Sequence, residues 1–201
     1  MSDDWVSPWW QGSCLPDRWS VCGISVPSLS VWHTFALEQL ENRYIFGLDA
    51  DRDDAASLLL VASRDRAGGR RLMLAPNHRA RQLRKMYRRI KKIPWDDLHD
   101  ACTEYVETCI RQADSWTPGE TPGTAPRPYG SPLPFRIVST LCQVYGYSRE
   151  DAWNEQFALA SLYHDAHSEN AGRISLLTPQ AQEIEDNWDT VEDAEVAMDT
   201  T

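Results

Sequence analysis

Apolar residues recur at helical spacing along much of this chain, and the pattern predicts a mainly α protein. A first helix is capped by Ser28 or Ser30 and runs to about Tyr44, with one face formed by Trp32, Phe35, Ala36, Gln39 and Leu40. Another helix runs from about Asp96 to Ser115, and its apolar face contains Leu98, Cys102, Tyr105, Val106, Cys109, Ile110 and Ala113. Residues 20–27 are expected to be extended or looped.

The C-terminal part predicts a helical pair, residues 135–146 and 149–170. Ser148 is expected to be the N-cap of the second helix, with Asp151 at the third position as in a capping box. Trp153, Phe157 and Ala160 share the apolar face of that helix, which the pattern predicts as continuous. Gly172 suits its C-terminal end.

Several aspartates precede a predicted helix at 55–63. The spacing of Asp49, Asp51 and Asp53 resembles the start of an EF-hand loop. That loop needs Gly at its sixth position and Glu at its twelfth, where this chain has Asp54 and Leu60. The aspartates are therefore interpreted as the negative start of a helix, which the helix dipole favours.

A basic helix is predicted at residues 78–92, after a break at Gly68-Gly69 and a short strand or turn at 70–74. Its apolar stripe is narrow and consists of Leu83, Met86, Tyr87 and Ile90. A narrow stripe with charge on the remaining faces indicates a surface helix. Pro94 ends it.

Composition divides the chain into five parts: a small helical domain with a Trp-rich N-terminal arm, a Pro-rich linker, a C-terminal helical pair and an acidic tail. The predicted ranges are 1–27 for the arm, 28–116 for the helical domain, 117–134 for the linker, 135–175 for the pair and 176–201 for the tail. Six prolines make the linker extended and semi-stiff. The tail carries eight Asp or Glu residues after Pro179.

Charge is distributed unevenly along the chain. The formal net charge is −10, yet residues 66–95 contain no acidic residue and about half of the twenty Lys and Arg residues. The basic surface of the predicted helix consists of Arg81, Arg84, Lys85, Arg88, Arg89 and Lys92. It could contact phosphates, dock on the protein's own acidic surface or tail, bind an acidic or amphipathic segment of another protein, or simply face solvent. Nucleic acid is disfavoured as the partner because a net charge of −10 repels it at long range.

The first twenty residues contain four of the nine tryptophans, among them Trp9 and Trp10. Prolines and glycine around them oppose regular structure. Such an arm either covers the domain's own core or docks on a partner, because Trp is favoured at interfaces.

Candidate catalytic and metal-binding patterns are weak. His164 and His167 are spaced so that both could bind one metal ion, and further ligands could come from His33, Asp96 or His99. The spacing does not match the HExxH motif, so histidines packed in the fold or on its surface are the favoured interpretation. No GxSxG, GxxxxGK[ST] or GxGxxG motif is present. We therefore expect no enzymatic activity, no metal and no cofactor.

The compartment follows from the apolar runs and the cysteines. The longest apolar run, Leu58–Ala62, is far shorter than the roughly 20 residues that span a bilayer. The first residues lack the basic and apolar regions of a secretory signal. Of the five cysteines, Cys102 and Cys109 lie on a core stripe, and a structural disulfide is not expected. These features predict a cytoplasmic protein.

Two segments resemble sequences of phage tail assembly proteins. Residues 29–42, with Leu29-Ser30, His33 and Leu37-Glu38, resemble a helix of small phage tail proteins. Residues 144–153, with Tyr145-Gly146-Tyr147 and Trp153, resemble the entry into a long helix in tail assembly chaperones of long-tailed phages. Members of that family often carry Pro in the turn after the Trp, where this chain has Glu155-Gln156.

The resemblance implies a non-enzymatic chaperone that binds the tape-measure protein in the host cytoplasm and keeps it soluble while the tail tube assembles. The tail tube protein is a second candidate client. Partner contacts would then fall on the Trp-rich arm and the wide helical face, at Trp9, Trp10, Trp32, Trp153, Phe157 and Tyr163. The alternative is a nucleic-acid-binding or virion-assembly adaptor that acts through the basic helix 78–92. If the basic helix faces a protein client, residues 179–201 are expected to mask it until that client arrives.

Overall fold

The protein is mainly helical, as the sequence predicts. The computed structural model describes residues 15–16, 18–110 and 131–172. In chain order the elements are β1 (Arg18–Val21), β2 (Ile24–Pro27), α1 (Val31–Gln39), a 3₁₀ helix (Arg43–Phe46), α2 (Arg52–Ala62), α3 (Arg66–Leu74), α4 (Pro76–Ile90), α5 (Trp95–Ile110), α6 (Leu133–Gln143), α7 (Arg149–Asn154) and α8 (Phe157–Asn170).

The two strands form an antiparallel hairpin that begins at Arg18, two residues before the segment 20–27 predicted as extended or looped. Cys22 and Gly23 make its two-residue turn, and both have positive φ, at 48° and 79°, as a type I′ turn requires. Trp19 on β1 packs edge-on against Tyr105 of α5, with ring centroids 6.0 Å apart. This tryptophan of the predicted arm therefore covers the protein's own core.

Local capping explains where three helices begin. The Ser30 side chain accepts from the His33 amide at the start of α1. Asp51 accepts from the amides of Asp53 and Asp54, so the aspartate cluster caps α2. Ser148 accepts from the Asp151 amide at α7, as predicted.

Helix α1 ends at Gln39, five residues before the predicted end at Tyr44. The chain turns at Glu41, whose φ of 53° lies in the left-handed region. The fully buried Asn42 stabilises this turn, because its side-chain amide donates to the Asp54 carbonyl at 2.8 Å and to the Ser57 hydroxyl at 2.7 Å.

The predicted break at Gly68-Gly69 is wrong, because both glycines lie inside α3. Asp65 caps this helix by accepting from the Gly68 amide at 2.7 Å. Gly69 is buried against Trp32 of α1, and a Cβ atom there would lie 1.9 Å from the indole ring. The second glycine thus permits close helix packing, and the predicted strand or turn at 70–74 is helical instead.

The predicted continuous helix at 149–170 is also wrong, because it is divided into α7 and α8. The Val31 amide donates to the Glu155 carbonyl at 3.0 Å, and the Phe157 amide donates to the Leu29 carbonyl at 2.8 Å. These bonds to a neighbouring segment replace intrahelical bonds, so the helix is interrupted at Glu155-Gln156.

Residues from both sides of the predicted linker enter one hydrophobic core. Leu37 of α1 and Leu58 of α2 belong to it, as do Ile137 of α6 and Trp153 of α7. The arm residues 1–14, positions 117–130 of the linker and the tail 176–201 lie outside the described residues. None of the helices in the described ranges combines the length and apolar composition needed to cross a membrane.

Candidate partner-binding groove

An open groove lies between α1, α3, α6 and α7. Its volume is about 740 Å³. Its lining residues, which we call the aromatic groove, are Trp32, Phe35, Ala36, Gln39, Arg66, Arg70, Met73, Leu74, Phe135, Arg149, Glu150 and Trp153. This size is typical of binding sites, and the lining combines aromatic and aliphatic side chains with four charged ones.

Helix α1 supplies the floor. Trp32, Phe35 and Gln39 are spaced i, i+3 and i+7, so they lie on one helical face. The Ser30 cap fixes the start of the helix, and the hydrogen bonds of Leu29 and Val31 hold it beside α7 and α8. The face that the sequence pattern predicted as apolar is therefore the face that lines the groove.

Helix α3 forms one wall. Arg66, Arg70 and Leu74 are spaced i, i+4 and i+8 along it. Gly69 allows this wall to approach the Trp32 ring closely. Leu74 is 75% exposed, so this wall presents an apolar side chain to solvent.

Three rings from three helices meet at the opposite wall. Phe35 lies 5.2 Å from Phe135 and 5.7 Å from Trp153, and the rings of Phe135 and Trp153 are 5.2 Å apart. The two contacts of Phe135 are edge-to-face, with interplanar angles of 88°. Such pairs favour one fixed arrangement of the rings. Phe135 keeps 41% of its surface exposed, so the cluster offers an apolar contact to a partner.

Charged groups surround the aromatic residues. The guanidinium of Arg66 lies 5.7 Å over the Trp153 ring and forms an ion pair with Glu150. Arg70 and Arg149 are exposed and have no ion-pair partner within the ranges that the structure describes. With three arginines and one glutamate, the lining has a formal charge of +2 in a chain of net charge −10.

The predicted partner-binding residues fall in different places. Trp32 and Trp153 both line the groove, although each is more than nine-tenths buried. Phe157 is packed in the core at 5% exposure. Tyr163 lies in a separate cluster, 5.0 Å from the Tyr145 ring and 6.5 Å from the Tyr147 ring. Trp9 and Trp10 lie outside the described residues.

Sequence reasoning missed several groove residues, namely Arg66, Arg70, Leu74, Phe135 and Arg149. Arg66, Arg70 and Leu74 were missed because Gly68-Gly69 was interpreted as a break, which concealed helix α3. An arginine spacing of i, i+4 from Arg66 to Arg70 was the available signal.

The basic surface is confined to one helix. Arg81, Arg84, Lys85, Arg88, Arg89 and Lys92 are all exposed, on α4 and directly after it. Met86 and Ile90 are buried against the core, while the predicted stripe residue Tyr87 is 40% exposed. Arg52 of α2 holds the end of the helix, donating at 3.1 Å to the carbonyls of Ile90 and Ile93. None of the six cations has an ion-pair partner in the described part of the chain.

The histidines considered as metal ligands have separate hydrogen-bond partners. His164 bonds the Thr140 hydroxyl at 2.8 Å, and His99 bonds the Tyr44 hydroxyl at 3.2 Å. His33 accepts from the Ser30 amide through Nδ1, so its Nε2–H donates to the Arg64 carbonyl at 2.7 Å. No group of three metal-binding side chains converges within residues 18–110 and 131–172.

Burial controls the charge states of several groups. Burial lowers the pKa of His33, against the opposing effect of its bond to the Arg64 carbonyl. Burial also raises the pKa of Cys102 to about 12 and that of Cys109 to about 11. Both thiols are therefore protonated at neutral pH and act as core side chains.

Comparison with known protein families, with curated proteins and with solved structures found no match to this chain.

Proposed function

We propose that this chain is a non-enzymatic assembly chaperone that binds the tape-measure protein during assembly of a phage tail. The main support for the proposal is the position in the sequence of the residues that line the groove. The segment 29–42 supplies Trp32 and Phe35, and the segment 144–153 supplies Arg149 and Trp153. The two segments that resemble phage tail assembly proteins thus contribute to a single open groove.

The physical properties of the groove support a protein client. A long amphipathic helix exposes an apolar stripe, and such a stripe is bound by a hydrophobic groove that receives side chains at helical spacing. The exposed Leu74 and Phe135 and the ring cluster behind them offer this contact. The net charge of −10 would keep a chaperone–client complex dispersed.

The proposal includes no catalytic step and no cofactor. The groove lining contains no Ser, Cys or His, and its single carboxylate, Glu150, forms an ion pair with Arg66. Binding would take place in the host cytoplasm, with the tail tube protein as a second candidate client.

Co-expression tests the proposal directly. The tape-measure protein alone is expected to be largely insoluble, and co-expression with this chain should bring it into the soluble fraction and allow its recovery in a pull-down. If solubility is unchanged and no complex is recovered, the chaperone proposal is wrong.

A second candidate function is a nucleic-acid-binding or virion-assembly adaptor, which the exposed basic surface of α4 favours. Each phosphate contact by a cation makes binding more sensitive to salt. Changing Arg84, Lys85, Arg88 and Arg89 to Glu should then abolish a salt-dependent mobility shift of a nucleic-acid probe. If the unmodified protein gives no shift, this candidate is excluded.

A further inference from the structure

We propose that the aromatic groove selects an acidic amphipathic helix, and that Glu150 competes with the carboxylates of that helix for Arg66. This inference rests on the proposed function, because it assigns the chemistry of the partner that the groove binds. It also assigns a regulatory role to a residue of the groove itself.

The charge of the groove favours an acidic partner. Arg66, Arg70 and Arg149 point to carboxylate recognition, since guanidinium groups bind carboxylates with directed hydrogen bonds. Glu150 is the single carboxylate of the lining. A basic partner would face three arginines, and a neutral one would leave Arg70 and Arg149 without ion pairs.

The spacing along α3 favours a helical partner. From Arg66 to Leu74 the wall extends about 12 Å, at a rise of about 1.5 Å per residue. A partner helix of roughly three turns covers this length, with apolar side chains against Phe135 and Leu74 and acidic side chains at i and i+4 beside the arginines.

Glu150 occupies the position that a partner carboxylate would need. It pairs with Arg66, and its own side chain is 68% exposed, whereas that of Arg66 is 22% exposed. Arg66 is held in place by its stacking on Trp153. An incoming carboxylate can therefore replace Glu150 without movement of the guanidinium.

Removing this competitor should tighten binding. The Glu150→Gln variant keeps the size of the side chain but cannot form the ion pair. An exposed ion pair is worth about 0.2–1 kcal/mol, which corresponds to about a 1.4- to five-fold change in affinity. We expect Glu150→Gln to bind an acidic helix more tightly by that factor.

The test uses three labelled synthetic 16-residue amphipathic peptides with the same leucine stripe, whose polar positions are Glu, Gln or Lys. Fluorescence anisotropy measures their affinity for the full-length protein. We expect the affinity to be highest for the Glu peptide, lower for the Gln peptide and lowest for the Lys peptide. The Glu peptide should bind the Glu150→Gln variant more tightly than it binds the unmodified protein. The double variant Arg70→Glu and Arg149→Glu should lower the affinity for the Glu peptide at least ten-fold.

The matched control is Arg81→Glu with Arg88→Glu, the same charge change on α4. If both double variants lost the same affinity for the Glu peptide, the attraction would be non-specific electrostatics and the inference would be overturned. It is also overturned if the Glu and Gln peptides bind equally, or if the groove is occupied by a second copy of the chain, seen as a concentration-dependent dimer. In any of these cases rescue of the tape-measure protein could still succeed, so the proposed function would stand separately.

Discussion

At the scale of single residues, His33 connects a helix cap to a distant turn. Its Nδ1 accepts from the Ser30 amide at 3.0 Å, and its Nε2 donates to the carbonyl of Arg64. The protonated imidazolium could not accept from Ser30 and would place a charge in the core. The neutral form therefore stabilises the junction of α1 with the segment before α3.

This arrangement predicts a pH-dependent stability. Because the pKa of His33 is lowered from 6.5 in the folded protein, the unfolded chain binds the proton first as pH falls. The stabilisation is complete above about pH 6.5 and is lost as the pH falls towards the lower pKa of the folded state. Urea unfolding at pH 7.5 and 5.5 should show this decrease, with a slope of at most about 1.4 kcal/mol per pH unit.

His33→Gln is the informative variant, since Gln at the third helical position can still bond the N-cap amide. It should flatten the pH dependence, whereas the exposed His78→Gln should leave it unchanged. An unchanged slope in His33→Gln would contradict this account of His33.

At the scale of elements, the packing of α3 against α1 depends on Gly69. An added Cβ atom would lie 1.9 Å from the buried Trp32 ring. In an exposed helix, replacing Gly by Ala stabilises by about 1 kcal/mol. Here Gly69→Ala should instead destabilise the protein by about 1–3 kcal/mol, because the two helices must separate.

The control for this prediction is Gly68→Ala, whose Cβ atom would meet the Asp65 carboxylate at 2.8 Å rather than an aromatic ring. Its loss of unfolding free energy should be smaller. If Gly69→Ala were as stable as the unmodified protein in urea, the close packing of α3 on α1 would be incorrect.

The elements also show how far the sequence predicts the fold. The mainly α class follows from local signals, and so do the cap Ser148, the choice of Ser28 or Ser30 as the first cap and the acidic start of α2. The basic helix also follows from them, predicted at 78–92 and observed at Pro76–Ile90. Helix α3 and the interruption after α7 were not predicted from the sequence. The spacing of Arg66 and Arg70 is the local signal for α3. Its packing and the interruption depend on contacts between distant segments, Trp32 with Gly69 and Leu29 with Phe157.

The candidate site was partly predictable for the same reason. Trp32 and Trp153 are among the partner contacts that the phage-tail resemblance implies, and the fold brings both to the groove. The arginines and Leu74 required helix α3, so the positive charge of the groove became visible only in the folded chain.

At the scale of the whole molecule, two positive surfaces lie on an acidic protein. The groove combines arginines with aromatic rings, whereas the basic surface consists of six exposed cations on α4 and directly after it. The proposed protein client would bind the first surface, whereas the alternative nucleic-acid adaptor would use the second. We therefore expect substitutions in the groove to weaken client binding and substitutions on α4 to leave it unchanged.

The most direct measurement is recovery of the tape-measure protein by two variants with the same substitution. Leu74→Asp places a negative charge in the groove, and Leu48→Asp places the same charge outside it. Leu74 is 75% exposed and Leu48 is 60% exposed, so both variants should fold. We predict that Leu74→Asp loses most of the soluble client while Leu48→Asp retains it. Equal recovery with Leu74→Asp and the unmodified protein would contradict binding in the aromatic groove.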